Sequence, residues 1–306
     1  MKRDLLTILD LSADEIHSLL SKAEQMKKSL QEGTDRLKST LPGRVLGLIF
    51  VKPSTRTRVS FEAAMYRLGG SCIFMTPKET QISRDETLAD TARVLSRYVD
   101  ILVIRTFAHE DIEELAGFSS IPVINGLTDR FHPCQVLSDL LTVKEKRGTL
   151  EKLRVAWVGD GNNVAHSWIN AAGILGFDLV LACPPGYMPD QNVLNQTRGR
   201  GKIEVVHNPK KAVESADIIY TDVWASMGQE QEAAERRRIF QPYQLNADLL
   251  AEAPPHAMVF HCLPAHRGDE ITDQVIDGPQ SVVFDQAENR MHLQMALLDW
   301  LLSAAS

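Results

Sequence analysis

Short apolar runs, rich in Val, Ile and Leu, alternate with helical segments along the whole of this 306-residue chain. No other feature constrains the fold as strongly. Strands are expected at Val45–Val51, Cys72–Met75, Ile101–Ile104 and Ile121–Ile124, then at Val155–Val158, Leu179–Ala182, Ile203–Val206, Ile218–Tyr220, Met258–Phe260 and Ser281–Phe284. Between them lie helical stretches. Leu11 to Lys28 is the best signposted, with Ser12 as N-cap, Glu15 completing a capping box, and Leu11 and Ile16 as a hydrophobic staple. Others are expected from Val59 to Leu68, Asp85 to Arg97, Asp111 to Ala116, Val136 to Lys146, Val164 to Leu175 and Ala287 to Leu302. Strands separated by helices pair in parallel and are covered on both faces. The expected class is therefore α/β, with two doubly wound parallel-sheet domains facing one cleft and linked by interdomain helices. A single core usually stops growing near this length, so two domains are expected. Their spans are 1–146 and 147–286, the charged mix from Lys144 to Lys152 marking the crossing, with a C-terminal helix at 287–306 packing back on the first domain.

In open parallel sheets, ligands bind outside the carboxyl ends of the strands. The polar signatures of this chain fall at those ends. Lys52-Pro53-Ser54-Thr55-Arg56-Thr57-Arg58 follows the first strand, and Pro53 keeps the residue before it out of a helix. A turn with hydroxyls, free backbone N–H groups and two arginines at a helix entrance is what a doubly charged phosphate needs. An ordinary capped helix start with wet arginines is the bland alternative. Arg105 closes a buried strand, either as a sheet-edge ion pair or as a ligand. His132 and Gln135 share one turn at a helix N-terminus, where Pro133 suits the first helical position. They either cap the helix or meet a carbonyl and an amide.

The second half repeats the placement. Gly159-Asp160-Gly161-Asn162-Asn163-Val164 invites a dinucleotide reading, but Val164 stands where the third glycine belongs. Asn162 and Asn163 at a helix entrance suit a carboxylate better. Asp222, just past a strand, fits an ammonium, and the small-residue turn through Ser226, Met227 and Gly228 fits a carboxylate. Arg236-Arg237-Arg238 reads as a solvated helix face, and Arg198 to Lys202 as a surface loop. His261-Cys262-Leu263-Pro264-Ala265-His266 lacks a fourth ligand for zinc. Cys262 is by default a small buried hydrophobe, and at this edge alternatively a contact for a substrate amine.

Taken together and in this order, these stretches resemble the aspartate/ornithine carbamoyltransferase family, on its ornithine branch. The likeness runs from Ser54 to Arg290, departing at Val51, where the family often carries an acidic residue. It implies a carbamoyl-phosphate-binding first domain and an ornithine-binding second domain. It implies transfer of the carbamoyl group of carbamoyl phosphate to the δ-amine of L-ornithine, giving L-citrulline and phosphate for arginine biosynthesis. By the resemblance, Ser54, Thr55, Arg56, Thr57 and Arg105 bind the phosphate, while Arg105 and His132 polarise the carbamoyl carbonyl. Pro133, Cys134 and Gln135 complete that subsite, with Gln135 orienting the amide and Arg290 returning to the carbonyl region. Asn163, Asp222, Ser226 and Met227 hold the amino-acid end of ornithine, and Cys262 and the Leu263 carbonyl lie by its δ-amine. Cys262 and Leu263, with Gln81, also count among the carbamoyl-phosphate-binding residues by the resemblance. The catalytic residues so implied are Arg105, His132 and Cys262. Gln81 is implied to reach into a neighbouring subunit's site, hence a homotrimer. No metal and no organic cofactor is implied.

Composition narrows the alternatives. With 33 basic and 40 acidic residues the net charge is −7, against a nucleic-acid partner or a polybasic membrane role. The four cysteines have neither disulfide nor metal spacing, no apolar leader follows Met1, and no stretch reaches bilayer length, so a cytoplasmic protein is expected. A transferase for putrescine or an acylated ornithine shares the first domain but has no use for Asp222 to Gly228. A non-catalytic relative is expected to lack Arg56, His132 or Cys262, all present here.

Overall fold

In the computed structural model, residues 2–33, 35–76, 86–197, 201–225 and 232–304 are described. They form two parallel sheets, each in its own compact unit: Met1–Leu141 with Asn289–Ser306, and Thr142–Glu288.

The first unit opens with α1 (Ala13–Gln31), started by the expected capping box of Ser12 and Glu15. It continues through β1 (Val45–Phe50), α2 (Thr55–Arg67), β2 (Ser71–Met75), α3 (Leu88–Leu95), β3 (Ile101–Arg105), α4 (His109–Phe118), β4 (Val123–Leu127) and α5 (Pro133–Arg147). The sheet order is β2-β1-β3-β4. The chain steps from β1 outward to β2, then back across to β3 on the other side of β1. That reversal opens a crevice at the carboxyl ends of β1 and β3, where Phe50 and Arg105 stand in register. Phe61, Ala64 and Met65 of α2 are buried, as the helical period requires, and Ile49, Leu102, Ile104, Ile112 and Val123 share one apolar cluster.

The second unit runs through β5 (Arg154–Val158), α6 (Asn163–Leu175), β6 (Asp178–Ala182), α7 (Gln191–Gln196), β7 (Ile203–Val206), α8 (Pro209–Val213), β8 (Ile218–Thr221), α9 (Ala233–Phe240), α10 (Ala247–Ala251), β9 (Met258–His261), α11 (Asp273–Ile276) and the start of α12 (Val283–Ala304). Its order, β7-β6-β5-β8-β9, reverses between β5 and β8. Register aligns Trp157 with Tyr220 and Tyr220 with Phe260, so the three rings form a stacked ladder at 5.1 and 6.0 Å. That ladder stiffens the sheet one residue before the ends of β5, β8 and β9.

Ser281–Phe284, expected as a strand, is not one. Ser281 makes an isolated bridge to Val259, and Val283 already begins α12. A short apolar run cannot be assigned by periodicity alone, and here Val282 and Val283 are the buried entrance of a 22-residue helix. The helix expected from Asp85 is observed from Leu88, Asp85 itself lying outside the described residues. The division between units falls inside α5 and inside α12. Among the described residues no helix is long and apolar enough to cross a membrane.

Candidate active site

At the β1/β3 crevice, Ser54 caps α2 by accepting the Thr57 N–H at 3.2 Å, and its hydroxyl donates to Thr57 Oγ1 at 3.1 Å. Capping by a hydroxyl leaves the other first-turn N–H groups of α2 directed out of the helix end. Thr55 is exposed, Arg56 half-buried and Thr57 buried. Arg58 faces away, paired with Glu62 and stacked over Phe74 at 3.6 Å. The Val51 N–H donates to the Arg105 carbonyl at 2.8 Å, tying the turn to the end of β3.

The motifs meet at Arg290 on α12. Its guanidinium donates to Thr57 Oγ1 at 3.0 Å and to Gln135 Oε1, residues 233 and 155 positions away. Gln135 in turn donates from Nε2 to Asp139 Oδ1 at 2.8 Å, which fixes its amide orientation and leaves one lone pair on Oε1. His132 precedes Pro133, the first residue of α5, and is buried. Burial, then the Arg290 and Arg105 charges, hold its pKa well below the ordinary histidine range, so the ring is neutral at neutral pH. Cys134 turns into the core, donating to the Asn125 carbonyl, with burial pushing its thiol up to about 12. Lys52, absent from the expected site, is buried under Phe107 and ion-paired with Asp129. Gln81 lies outside the described residues.

In the second unit the β5/β8 crevice is built around Asp222. Gly159 leaves β5 at φ 138°, a conformation open to glycine, and Gly161 sits so close to the next connection that a Cβ would lie 2.3 Å from the Pro189 nitrogen. Both glycines are thus explained by backbone geometry, with no nucleotide needed. Asn162 then caps α6, accepting the Val164 and Ala165 N–H groups, and donates to Asp222 Oδ2 at 2.7 Å. Asp222 Oδ1 accepts the Val223 N–H at 2.8 Å and the Cys262 thiol at 3.0 Å. Asn163 is half-buried in the first turn of α6. Ser226 and Met227 lie outside the described residues.

Asp222, His261 and Cys262 offer ligand atoms within 4.8 Å of one another, yet the set does not suit a metal ion. His261 Nδ1 accepts the Leu263 N–H at 2.9 Å, so the ring proton is on Nε2, facing Glu270 Oε1 at 3.1 Å. Both nitrogens are committed, and no lone pair is left for coordination. What this imidazole holds is the Leu263 turn, a non-glycine residue at φ 57°.

Arg236 corrects the sequence expectation of a solvated face: it is buried and bonded to Asp160. Arg236 and Phe240, four residues apart, share the buried face of α9, while Arg237 and Arg238 are exposed. The capping role of Asn162 was legible as an N-cap residue type. The Lys52–Asp129 and His261–Glu270 pairs carry no local sequence signal, since their partners come from other turns.

Comparison with known proteins follows this division. Residues 3–145 match the family model for the carbamoyl-P binding domain of aspartate/ornithine carbamoyltransferase, and residues 151–301 match its Asp/Orn binding domain. The chain is 53% identical over 304 residues to an ornithine carbamoyltransferase of Syntrophus aciditrophicus, covering 99% of this chain and all of that one. It is 53% identical over 301 residues to the anabolic ornithine carbamoyltransferase of Pyrococcus furiosus, covering 97% of this chain and 95% of the relative. Among solved structures, ornithine carbamoyltransferase from Pyrococcus furiosus superposes with a TM-score of 0.93 at 53% identity, covering 97% of this chain and 96% of that one. The Thermus thermophilus enzyme superposes with 0.89 at 42% identity, covering 99% of both.

Proposed function

Because the chain belongs to the aspartate/ornithine carbamoyltransferase family, we infer that it transfers the carbamoyl group of carbamoyl phosphate to the δ-amine of L-ornithine, giving L-citrulline and phosphate. The observation that carries this reading is the junction at Arg290, where one guanidinium joins the Thr57 turn to Gln135 beside a neutral His132.

In this reading the phosphate sits on the N-terminus of α2, met by Ser54, Thr55, Arg56, Thr57 and Arg105, where backbone N–H groups and guanidinium forks match its oxygens. The carbamoyl oxygen takes donors from Arg105, Arg290 and a neutral His132 N–H, which polarises the carbonyl without surrendering a proton. The free lone pair of Gln135 Oε1 accepts from the carbamoyl amide, and Pro133 and Cys134 shape this wall through the first turn of α5. Ornithine enters with its α-ammonium on Asp222 and its carboxylate on Asn163, Ser226 and Met227. The δ-nitrogen gives its N–H bonds to the Leu263 carbonyl and Cys262 Sγ, which leaves its own lone pair for the carbonyl carbon.

A lysine-like amine has a pKa of about 10.4, so it must be deprotonated to attack. Desolvation beside fixed cations lowers that value. Attack forms the new C–N bond and a tetrahedral oxyanion, met by donors already in place. The C–O bond to phosphate then breaks, and the leaving phosphate takes the amine proton. Binding two small substrates in register accounts for much of the acceleration. A cytoplasmic homotrimer, with Gln81 supplied by the adjacent subunit, completes the proposal. The anabolic direction follows the Pyrococcus furiosus relative of that name.

The test is a product assay with carbamoyl phosphate and, side by side, ornithine, putrescine, acetylornithine and aspartate. Citrulline from ornithine alone is expected. No citrulline, or faster turnover with another acceptor, overturns the reading.

A further inference from the structure

Arg236 belongs to none of the substrate-binding motifs above, yet few cations among the described residues are as deeply enclosed: it is 5% exposed. Its Nη1 and Nη2 donate to Asp160 Oδ2 at 3.0 and 3.2 Å, and Nη1 donates again to the Trp224 carbonyl at 3.0 Å. The guanidinium lies 4.7 Å from the centroid of Tyr187 and 5.6 Å from that of Phe240, and its Nε faces Glu232 at 3.6 Å. One side chain thus joins the turn after β5, the connection after β6, the exit of β8 and its own helix, α9.

Two of those segments carry the acceptor subsite. Asn162 and Asn163 follow Asp160 by two and three residues, and Asp222 precedes Trp224 by two. We propose that Arg236 is a positioning residue for the ornithine subsite: its fork fixes the turns bearing Asn162, Asn163 and Asp222, and its charge neutralises Asp160, leaving Asp222 as the acid that meets the ammonium. The inference rests on the reaction proposed above. A planar guanidinium makes these divergent bonds at once, whereas a lysine ammonium on a flexible stem does not reproduce the fork. Without Arg236, the half-buried Asp160 carboxylate is left unpaired next to the strand end that carries the substrate's counter-charge, and the Trp224 carbonyl loses its donor.

The test compares steady-state kinetics of the full-length wild type with Arg236→Gln, Arg236→Lys and the double variant Asp160→Asn/Arg236→Gln. Arg236→Gln is expected to raise KM for ornithine about tenfold or more while KM for carbamoyl phosphate stays within about twofold, from the weight of charge-assisted hydrogen bonds. Arg236→Lys recovers only part of the loss. The double variant binds ornithine better than Arg236→Gln alone, because the unpaired carboxylate is gone. Parallel rises in both Michaelis constants, or an unchanged ornithine KM, overturn the inference. If Arg236→Gln does not accumulate as folded protein, Arg236→Lys decides by the same split, a wild-type ornithine KM overturning it. A wild type that makes no citrulline fails before any variant is compared, and so identifies the underlying reaction as the error.

Discussion

Asp222 shows how far a single carboxylate is committed before a substrate arrives. Its two oxygens offer about four lone-pair directions. Among the described residues three are taken, by Asn162 Nδ2, the Val223 N–H and the Cys262 thiol. What remains is one direction for an ammonium, from a carboxylate that cannot swing. Asp222→Ala is therefore expected to raise KM for ornithine by about 10- to 100-fold, the weight of a charge-assisted hydrogen bond, with KM for carbamoyl phosphate little changed. Arg56→Ala is expected to give the converse. Initial-rate measurements varying each substrate check the pair, and a variant that moves both constants together contradicts the division of labour. A second expectation concerns acid. His132 and His109 are held below the ordinary value of 6.5, chiefly by burial, whereas burial pushes the Asp160 carboxyl up to about 6 against the pull of Arg236. As pH falls below 6.5 the unfolded chain gains protons on both histidines that the native state refuses, so stability is lost. Below about pH 6 Asp160 acts oppositely, taking a proton in the native state before the unfolded one. Asp10, also raised by burial, acts with Asp160, while the two histidines respond from pH 6.5 downward, so the first effect of acidification is a loss, on the order of 1.4 kcal/mol per pH unit per uncompensated proton. Urea midpoints at pH 7.5, 6.5 and 5.5 check it, and a midpoint that rises toward pH 5.5 contradicts it.

At the scale of elements, α6 ties stability to the site through its cap. Asn162 satisfies two N–H groups of the first turn and orients Asp222 with the same side chain. Asn162→Ala is expected to cost about 1 kcal/mol from the cap, seen as a lower urea midpoint, together with weaker ornithine binding. Asn162→Asp keeps the cap but sets a second carboxylate against Asp222, so it separates the two effects: stability largely retained, ornithine KM raised. Equal behaviour of the two variants contradicts the dual role. The same elements show what was legible beforehand. Strand-turn-helix units declare themselves through apolar runs followed by polar turns, and for that reason Ser54, Arg105, His132, Asn162 and Asp222 could be placed at strand ends from the chain alone. Nine expected strands appear among the described residues, most of them because buried β-branched runs of four to six residues have few other uses, though β2 is only partly buried. The tenth, at Ser281–Phe284, was a helix entrance of the same composition. Partners across the fold were not legible: Arg290 reaching Thr57, Glu270 under His261 and Arg236 on Asp160 depend on which helix lies over which turn. No local pattern encodes that.

At the scale of the whole molecule, the two units differ in how they are cut from the chain. Thr142–Glu288 is continuous and carries its own five-stranded sheet and apolar cluster. The other unit is discontinuous, since Met1–Leu141 is completed by Asn289–Ser306. The returning segment is held to it by specific contacts: Lys22 to Asp299 at 2.5 Å, Lys27 to Asn289 at 2.7 Å, Arg3 over Trp300, and Arg290 on Thr57 and Gln135. Leu293, Met295, Leu297, Leu298 and Leu301 of α12 are fully buried. At about 2 kcal/mol each, their burial is worth roughly 10 kcal/mol, comparable to the entire stability of an ordinary domain. Deleting 289–306 is therefore expected to abolish the folded first unit, and with it any thermal stabilisation by carbamoyl phosphate. Thr142–Glu288 expressed alone is expected to melt cooperatively while forming no citrulline. Calorimetry of the two fragments checks the asymmetry. Cooperative melting of 1–288 in two transitions, one of them still shifted upward by carbamoyl phosphate, would show that α12 is dispensable to the first unit and that the phosphate turn is organised without Arg290.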